Sequence, residues 1–389
     1  MRDKIIIFGA GKWGGMAYLY YRTQCEVLCF VDNCKELWGN SLEGIGIYGP
    51  EKLRKVDLAE VKIVIANKRR KKQIQEQLYS DYGIRRSIIF EIKDNVEDFQ
   101  ILYDKEKLSD EIIIEYEGGL GNQMFQYAFA KCFMVRGKFV TGDTSTYYNI
   151  GRRKFALDKV FPRINIIQCS VIQKRNYIDY CENIEEVSIH TVDEYEADAK
   201  LLTKERGFFQ GYWQSSKYAE QVRKELKSDF VFCKKCDIGL EKIRKQISSQ
   251  NAVSVHIRRG DYLTQKSLHV FGGICTIEYY KKAIEKMRQQ VSDLIFYFFS
   301  DDIEWTRQNL EYANSIYVEP QMFDDYEDWY DMYLMSLCKH NIIANSTFSW
   351  WGAWLNDNEN KIVIAPYKWM NICAIRDIYP TGWTKLNEI

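Results

Sequence analysis

The sequence has 389 residues, with 54 Lys+Arg against 54 Asp+Glu; this balance leaves no global field to hold nucleic acid, so any anion site must be built locally. Hydrophobic residues at 46% and charged residues at 28% describe a globular chain, which excludes disordered and fibrous classes. The length calls for two or three domains.

Aromatic residues make up 15% of the chain and suit sugar faces as well as cores. The 11 Cys follow no disulfide framework, and Cys233-Lys-Lys-Cys236 lacks the second pair of a zinc ribbon. The thiols are expected to be reduced and mostly buried. The run from Ile5 to Ala10 is too short for a signal peptide, and no stretch approaches the ~18 apolar residues of a membrane span. The expected location is cytoplasmic, at most peripheral to the inner membrane face.

In chain order, Lys4 to Phe8 reads as a buried strand, followed by Gly9, Gly11 and Gly14 in a GxGxxG turn and then a helix. A second strand, Val27 to Val31, ends in Asp32. Glycines there let backbone approach a pyrophosphate at a helix N-terminus, and the carboxylate can bind a ribose. Strands at Val61 to Ala66 and Ile88 to Phe90 continue a strand–helix alternation that predicts a parallel sheet. Lys68-Arg-Arg-Lys-Lys72 reads as a solvated helix start, or more sharply as a contact with an anionic membrane surface. Residues 91–110 are polar and read as a linker.

A new strand, Glu111 to Tyr116, leads into Gly118-Gly-Leu-Gly121-Asn122-Gln and an amphipathic helix. After a mixed, aromatic-rich middle, a third alternating unit opens with Asn251 to His256. It continues through a helix to about Gln290 and strands at Leu294 to Phe299, Ile316 to Val318, Asn341 to Ala344 and Lys361 to Ala365. The strand ends carry the chemistry. In His256-Ile-Arg258-Arg259-Gly-Asp261-Tyr, two guanidinium forks fit phosphate oxygens, and Gly260 permits the turn that aims them. Asp301 and Asp302 can accept from a guanine edge or a ribose; a metal site is the rival reading, with adjacent spacing and no further ligand cluster against it. In Asn345-Ser346-Thr347-Phe348-Ser-Trp-Trp351-Gly352, hydroxyls can cap a helix whose free N–H groups face a phosphate. The Trp pair reads as packing.

Taken together, GGLGNQMFQYA from Gly118, the HxRRGDY run, Ser-Asp-Asp and NSTFSWWGAW from Asn345 resemble glycosyltransferase family 11, the α-1,2-fucosyltransferases, over about residues 111–389. Residues 4 to about 90 resemble the Rossmann-like module of bacterial sugar O-acyltransferases. The expected fold is therefore α/β: a Rossmann-like module (1–105), then a GT-B-like transferase with an acceptor-side half (111–250) and a donor-binding half (251–389). The resemblance implies GDP-fucose as donor, inversion, no metal or other cofactor, and a glycan or lipid-linked oligosaccharide acceptor, with O-2 of a terminal β-galactoside as the site of transfer. Without a metal, fixed positive charge must stabilise the leaving pyrophosphate, and Arg258 and Arg259 are expected to supply it, with Ser346, Thr347 and Phe348 holding the phosphates from the other side. By the same resemblance, His256, Asp301 and Asp302 would hold the nucleoside, and Asn122 the fucose or acceptor. Asp261 is a candidate base or a group orienting an Arg. Other readings stay open: a fucosyltransferase of different linkage, an NAD(P)-dependent sugar-nucleotide oxidoreductase or epimerase run by the first glycine loop, and a non-catalytic sugar-nucleotide sensor.

Overall fold

A computed structural model describes residues 3–22, 25–58, 61–67, 70–85, 88–91, 111–148, 154–169 and 197–387. The first sheet contains β1 (Asp3–Phe8), β2 (Cys25–Val31), β3 (Ser41–Leu42), β4 (Ile45–Tyr48), β5 (Val61–Ile65) and β6 (Ile89–Glu91). Their order is β3-β4-β2-β1-β5-β6, parallel except for the β3–β4 hairpin. Alternate side chains leave opposite faces of a strand, so β1 feeds two cores. Ile5 and Ile7 pack with Ala17 of helix α1 (Lys12–Tyr21), and Ile6 and Phe8 pack with Ile74 and Leu78 of α2 (Lys71–Ser80). A sheet covered on both faces needs continuously apolar strands, which is what Ile5-Ile6-Ile7 supplies.

The second sheet has the order β8-β7-β9, from β7 (Glu111–Glu115), β8 (Phe139–Asp143) and β9 (Gly207–Phe209), all parallel. Helix α3 (Leu120–Met134) follows β7 and is buried on nearly every side. The third sheet contains β10 (Asn251–Ile257), β11 (Leu294–Ser300), β12 (Ser315–Tyr317), β13 (His340–Ile342), β14 (Val363–Pro366) and β15 (Thr384–Leu386). Its order is β12-β11-β10-β13-β14-β15, parallel throughout. The chain steps outward from β10 to β12, then returns to start again at β13. That reversal opens a crevice beyond the carboxyl ends of β10 and β13, where doubly wound sheets bind ligands.

One face of the third sheet packs Val253, Val255, Phe296 and Phe298 against α4 (Ile277–Arg288). The other face shares a single core with the second sheet. At the seam, Phe125 of α3 meets Trp350 and Trp351 of α7 (Thr347–Leu355) at 4.5 and 4.9 Å between ring centroids. In chain order α5 (Ile303–Asn309) and α6 (Trp329–Leu337) come between α4 and α7. Truncating aromatic rings in such cores costs about 3–5 kcal/mol each, so the seam contributes to the stability of both halves.

The expected α/β architecture, parallel sheets in an N-terminal module and in two joined halves, is what the structure shows. The hairpin β3–β4 and the edge strand β15 were not expected. Nor are the thiols mostly buried: the described cysteines are free, and among them only Cys29, Cys132 and Cys338 are buried. Lys68, Arg69 and the polar segment 92–110 lie outside the described residues. No described helix is long and apolar enough to cross a membrane.

Candidate active site

Strand β10 is buried along its length and delivers His256, Arg258 and Arg259 to the crevice. The turn that follows is built from charge. Arg258 donates from Nε to Asp261 Oδ1 at 2.9 Å and pairs through Nη1 with Asp301 Oδ2 at 2.9 Å. Arg259 pairs through Nε with Asp302 Oδ2 at 3.0 Å, donates its backbone N–H to Asp301 Oδ1 at 2.9 Å, and lies 3.7 Å over the Trp305 ring. The two adjacent aspartates at the end of β11 therefore hold the two arginines of β10. Gly260 leaves room for this pairing: a Cβ there would lie 2.7 Å from Asp301 Oδ2, so the carboxylate that holds Arg258 would have to shift. Each guanidinium carries five donors, so the pairings leave N–H groups for a further anion. Asp302 also caps α5, accepting from the Trp305 N–H at 3.3 Å.

Across the crevice, two helices from different halves begin at one point. Residue Gly121 in the first turn of α3 lies so close to α7 that a Cβ would be 2.6 Å from the Thr347 carbonyl carbon and 2.8 Å from the Phe348 nitrogen. Trp351 Nε1 donates to the Gly121 carbonyl at 2.9 Å, and Thr347 Oγ1 donates to Asn122 Oδ1 at 2.9 Å. First-turn N–H groups have no intrahelical acceptor, so two positive helix ends converge where Ser346, Thr347 and Phe348 sit. The Trp pair is fully buried packing, as read from the sequence. Asn345 pins the loop below, donating to the Phe271 and Trp369 carbonyls at 3.2 and 3.1 Å, while Tyr262 Oη donates to the Asn345 carbonyl at 2.9 Å. That last bond ties the Arg258–Asp261 turn to the start of α7.

His256 is buried beside Phe348, 5.9 Å between ring centroids, and its Nδ1 has no partner among the described residues. Burial, with the Arg258 charge nearby, pushes its pKa down from 6.5 to about 3, so the ring is neutral. The folded state then binds fewer protons than the unfolded one as the medium acidifies. Stability from this group is present above about pH 6.5 and is lost progressively toward about pH 3. Urea midpoints measured across that window should fall more steeply for the native protein than for His256→Leu; parallel curves would contradict the assignment.

The first glycine loop lies at the corresponding edge of the first sheet. Gly9 has φ +113 and would bring a Cβ within 2.6 Å of the Ala66 carbonyl, and a Cβ on Gly14 would lie 2.0 Å from the Gly9 oxygen. Those two glycines serve close packing of β1, β5 and α1, while Gly11 faces open space. Asp32 accepts from the Ala10 N–H at 2.7 Å and the Cys34 N–H at 2.9 Å, so its carboxylate braces the loop. It is not brought near Arg258 by any described contact. Residues that sequence reasoning did not single out are Trp305, which underlies Arg259, and Gln214, which reaches Asn122 Oδ1 at 3.2 Å. Neither lies in a run whose composition marks it. Among the described residues no group of three or more His, Cys, Asp or Glu forms a cluster that could hold a metal ion.

The family model Glycosyl transferase family 11 matches residues 61–387, and a second, C2185-like, N-terminal, matches residues 1–90. The Alpha-1,2-colitosyltransferase of Escherichia coli is 32% identical over 295 residues, covering 71% of this chain and 99% of that protein. The O-antigen biosynthesis glycosyltransferase WbnK of Escherichia coli is 31% identical, covering 65% of this chain and 92% of its own. The Galactoside alpha-(1,2)-fucosyltransferase 1 of Saimiri boliviensis boliviensis is 24% identical, covering 61% and 63%. The chain, with an arginine pair and two helix ends converging on one crevice, belongs to glycosyltransferase family 11.

Proposed function

We propose that the protein is an inverting fucosyltransferase that needs no metal and moves L-fucose from GDP-fucose to O-2 of a terminal β-galactoside in a surface glycan. The observation that carries this reading is the convergence of Arg258, Arg259 and the starts of α3 and α7 on one crevice. Fixed cations and helix dipoles there are placed to receive a pyrophosphate. As the acceptor oxygen bonds to the anomeric carbon, the bond from that carbon to the β-phosphate oxygen breaks, GDP departs with the charge, and the acceptor's hydroxyl proton is released to solvent. Arg258 is assigned to the oxygen that accumulates that charge, Arg259 to the adjoining phosphate, and the first turn of α7 to the opposite side. Neutral His256, Asp301 and Asp302 are assigned to the nucleoside end, and Asn122 to the sugar. Asp261 meets Arg258 directly, which favours orienting that guanidinium over acting as base. A transition state of oxocarbenium character needs little base assistance.

The named relatives support an α-1,2 linkage and leave a second donor reading, colitosyl transfer, favoured by the 32% identical protein. The oxidoreductase reading finds less support, because the Asp32 carboxylate is engaged by two backbone amides. We place the protein in the cytoplasm, against the membrane face where lipid-linked acceptors are assembled. Incubation with GDP-fucose and a β-galactoside in EDTA, followed by linkage analysis, tests the proposal. An α-1,2-fucosylated product formed at an undiminished rate is expected. A different linkage, a requirement for added metal, or turnover with the colitosyl donor alone would refute the corresponding part.

A further inference from the structure

We infer that Gln214 is a positioning residue for sugar transfer, which fixes the Asn122 side chain so that its Nδ2 amide group is presented to the bound donor or acceptor. The inference deepens the proposed function and rests on it.

The polarity of the hydrogen-bond chain is set at its far end. Trp369 Nε1 donates to Gln214 Oε1 at 3.1 Å, and an indole N–H can only donate. The oxygen of the Gln214 amide must therefore face Trp369, and its Nε2 must face Asn122. Nε2 donates to Asn122 Oδ1 at 3.2 Å, and the same oxygen accepts from Thr347 Oγ1 at 2.9 Å. With Oδ1 committed to two donors, the Asn122 Nδ2 is turned the other way, against the Gly118 turn. A Cβ on Gly118 would lie 2.6 Å from that nitrogen, and Gly118 itself has φ +81. The Gly118 carbonyl already accepts from Gln123 Nε2 and Tyr147 Oη at 3.1 and 2.9 Å. Among the described residues no acceptor meets Asn122 Nδ2, so its two N–H groups are left for a ligand oxygen at the start of α3.

The segment that carries Gln214 is held at a conformational cost. Trp213 has φ +52, a left-handed backbone that a bulky residue rarely adopts and that persists only where its surroundings hold it. The ring is kept there by stacking on Phe129, 4.0 Å between centroids and 8° between planes. Gln126 Nε2 holds the preceding turn through the Gly211 carbonyl at 2.9 Å. Strain retained next to a reactive crevice is expected where it aims a side chain, and here it aims Gln214, which is buried. The chain of bonds also crosses the seam: Asn122 belongs to one half, Thr347 and Trp369 to the other. Gln214 thereby makes the orientation of a donor-facing amide conditional on the halves being correctly docked.

Two substitutions test this. Gln214→Leu removes both bonds with little change of volume. It is expected to lower kcat about 100-fold, the scale of a misplaced reacting group, while the GDP dissociation constant stays within about threefold. Gln214→Glu still accepts from Trp369, but its ionised form repels Asn122 Oδ1, whereas its protonated form donates to it. Relative to the native protein, kcat of that variant should rise at least about tenfold from about pH 8.5 to about pH 6, because burial raises a carboxyl pKa. A merely structural role would give a parallel pH profile. The inference is overturned if Gln214→Leu keeps kcat within about threefold of native, or if the Gln214→Glu profile parallels the native one. Should the Leu variant fail to fold, the Glu profile decides alone. If the native protein makes no fucosylated product, the proposed function fails by itself, and the same ratio is read with the donor that does turn over.

Discussion

Arg258→Ala is expected to lower turnover by about 10²–10³-fold and to weaken GDP-fucose binding as well. Removing one preorganised donor to a developing anion commonly costs about 3 kcal/mol of barrier. The loss here has a second part. Arg258 is the shared partner of Asp261 and Asp301, so its removal leaves two carboxylates facing the crevice that should receive a pyrophosphate. Arg258→Lys keeps the charge but loses the fork that meets both partners, and it should recover only part of the rate. Steady-state kinetics separates the two contributions: kcat reports the anion stabilisation, and the binding constant reports the uncovered carboxylates. Turnover within tenfold of native in Arg258→Ala would remove this residue from the mechanism.

Gly121→Ala should damage both stability and activity, from one added methyl group. That Cβ would meet the Thr347 carbonyl carbon at 2.6 Å, Thr347 Oγ1 at 2.7 Å and the Phe348 nitrogen at 2.8 Å. Two of these are backbone atoms in the first turn of α7, so the collision cannot be relieved by rotating a side chain. Overpacking of this kind costs about 1–3 kcal/mol, and here it pushes two helix starts apart. The Trp351 bond to the Gly121 carbonyl and the Thr347 bond to Asn122 would both lengthen. A lowered unfolding temperature with a kcat loss of more than tenfold is expected, since reacting groups misplaced by about 1 Å can lose about 100-fold. A destabilised variant with native kcat would show that the junction of the helices is structural alone.

Much of this was legible from the sequence, and the reason is locality. The apolar runs at Ile5, Val253 and Phe296 are continuous because both faces of their sheets are covered, and the latter two end in the arginine turn and the aspartate pair that closes it. The arginine turn was readable because Arg258, Gly260 and Asp261 are contiguous, although its closure by Asp301 spans the distance to the next strand. Gln214 was not readable. Its bonds join residues 92 and 155 positions away, and no periodicity or local composition marks an isolated glutamine. The left-handed Trp213 has no local signal either, since its conformation is imposed by Phe129 from another element. Short edges such as β3 and β15 are paired through neighbours rather than propensity, so sequence patterns pass over them. The first glycine loop shows the converse case. Its pattern was clear, yet Gly9 and Gly14 are spent on close packing and Asp32 on bracing the turn.

The central claim is that the crevice of the third sheet takes GDP-fucose on Arg258 without a metal. Calorimetric titration of the purified protein in EDTA with GDP-fucose, GDP-mannose, UDP-galactose and NAD tests it most directly. The account predicts a single site that prefers GDP-fucose and is lost in Arg258→Ala. Binding of NAD or a UDP-sugar with no response to GDP-fucose would contradict it and move the functional centre to the first glycine loop.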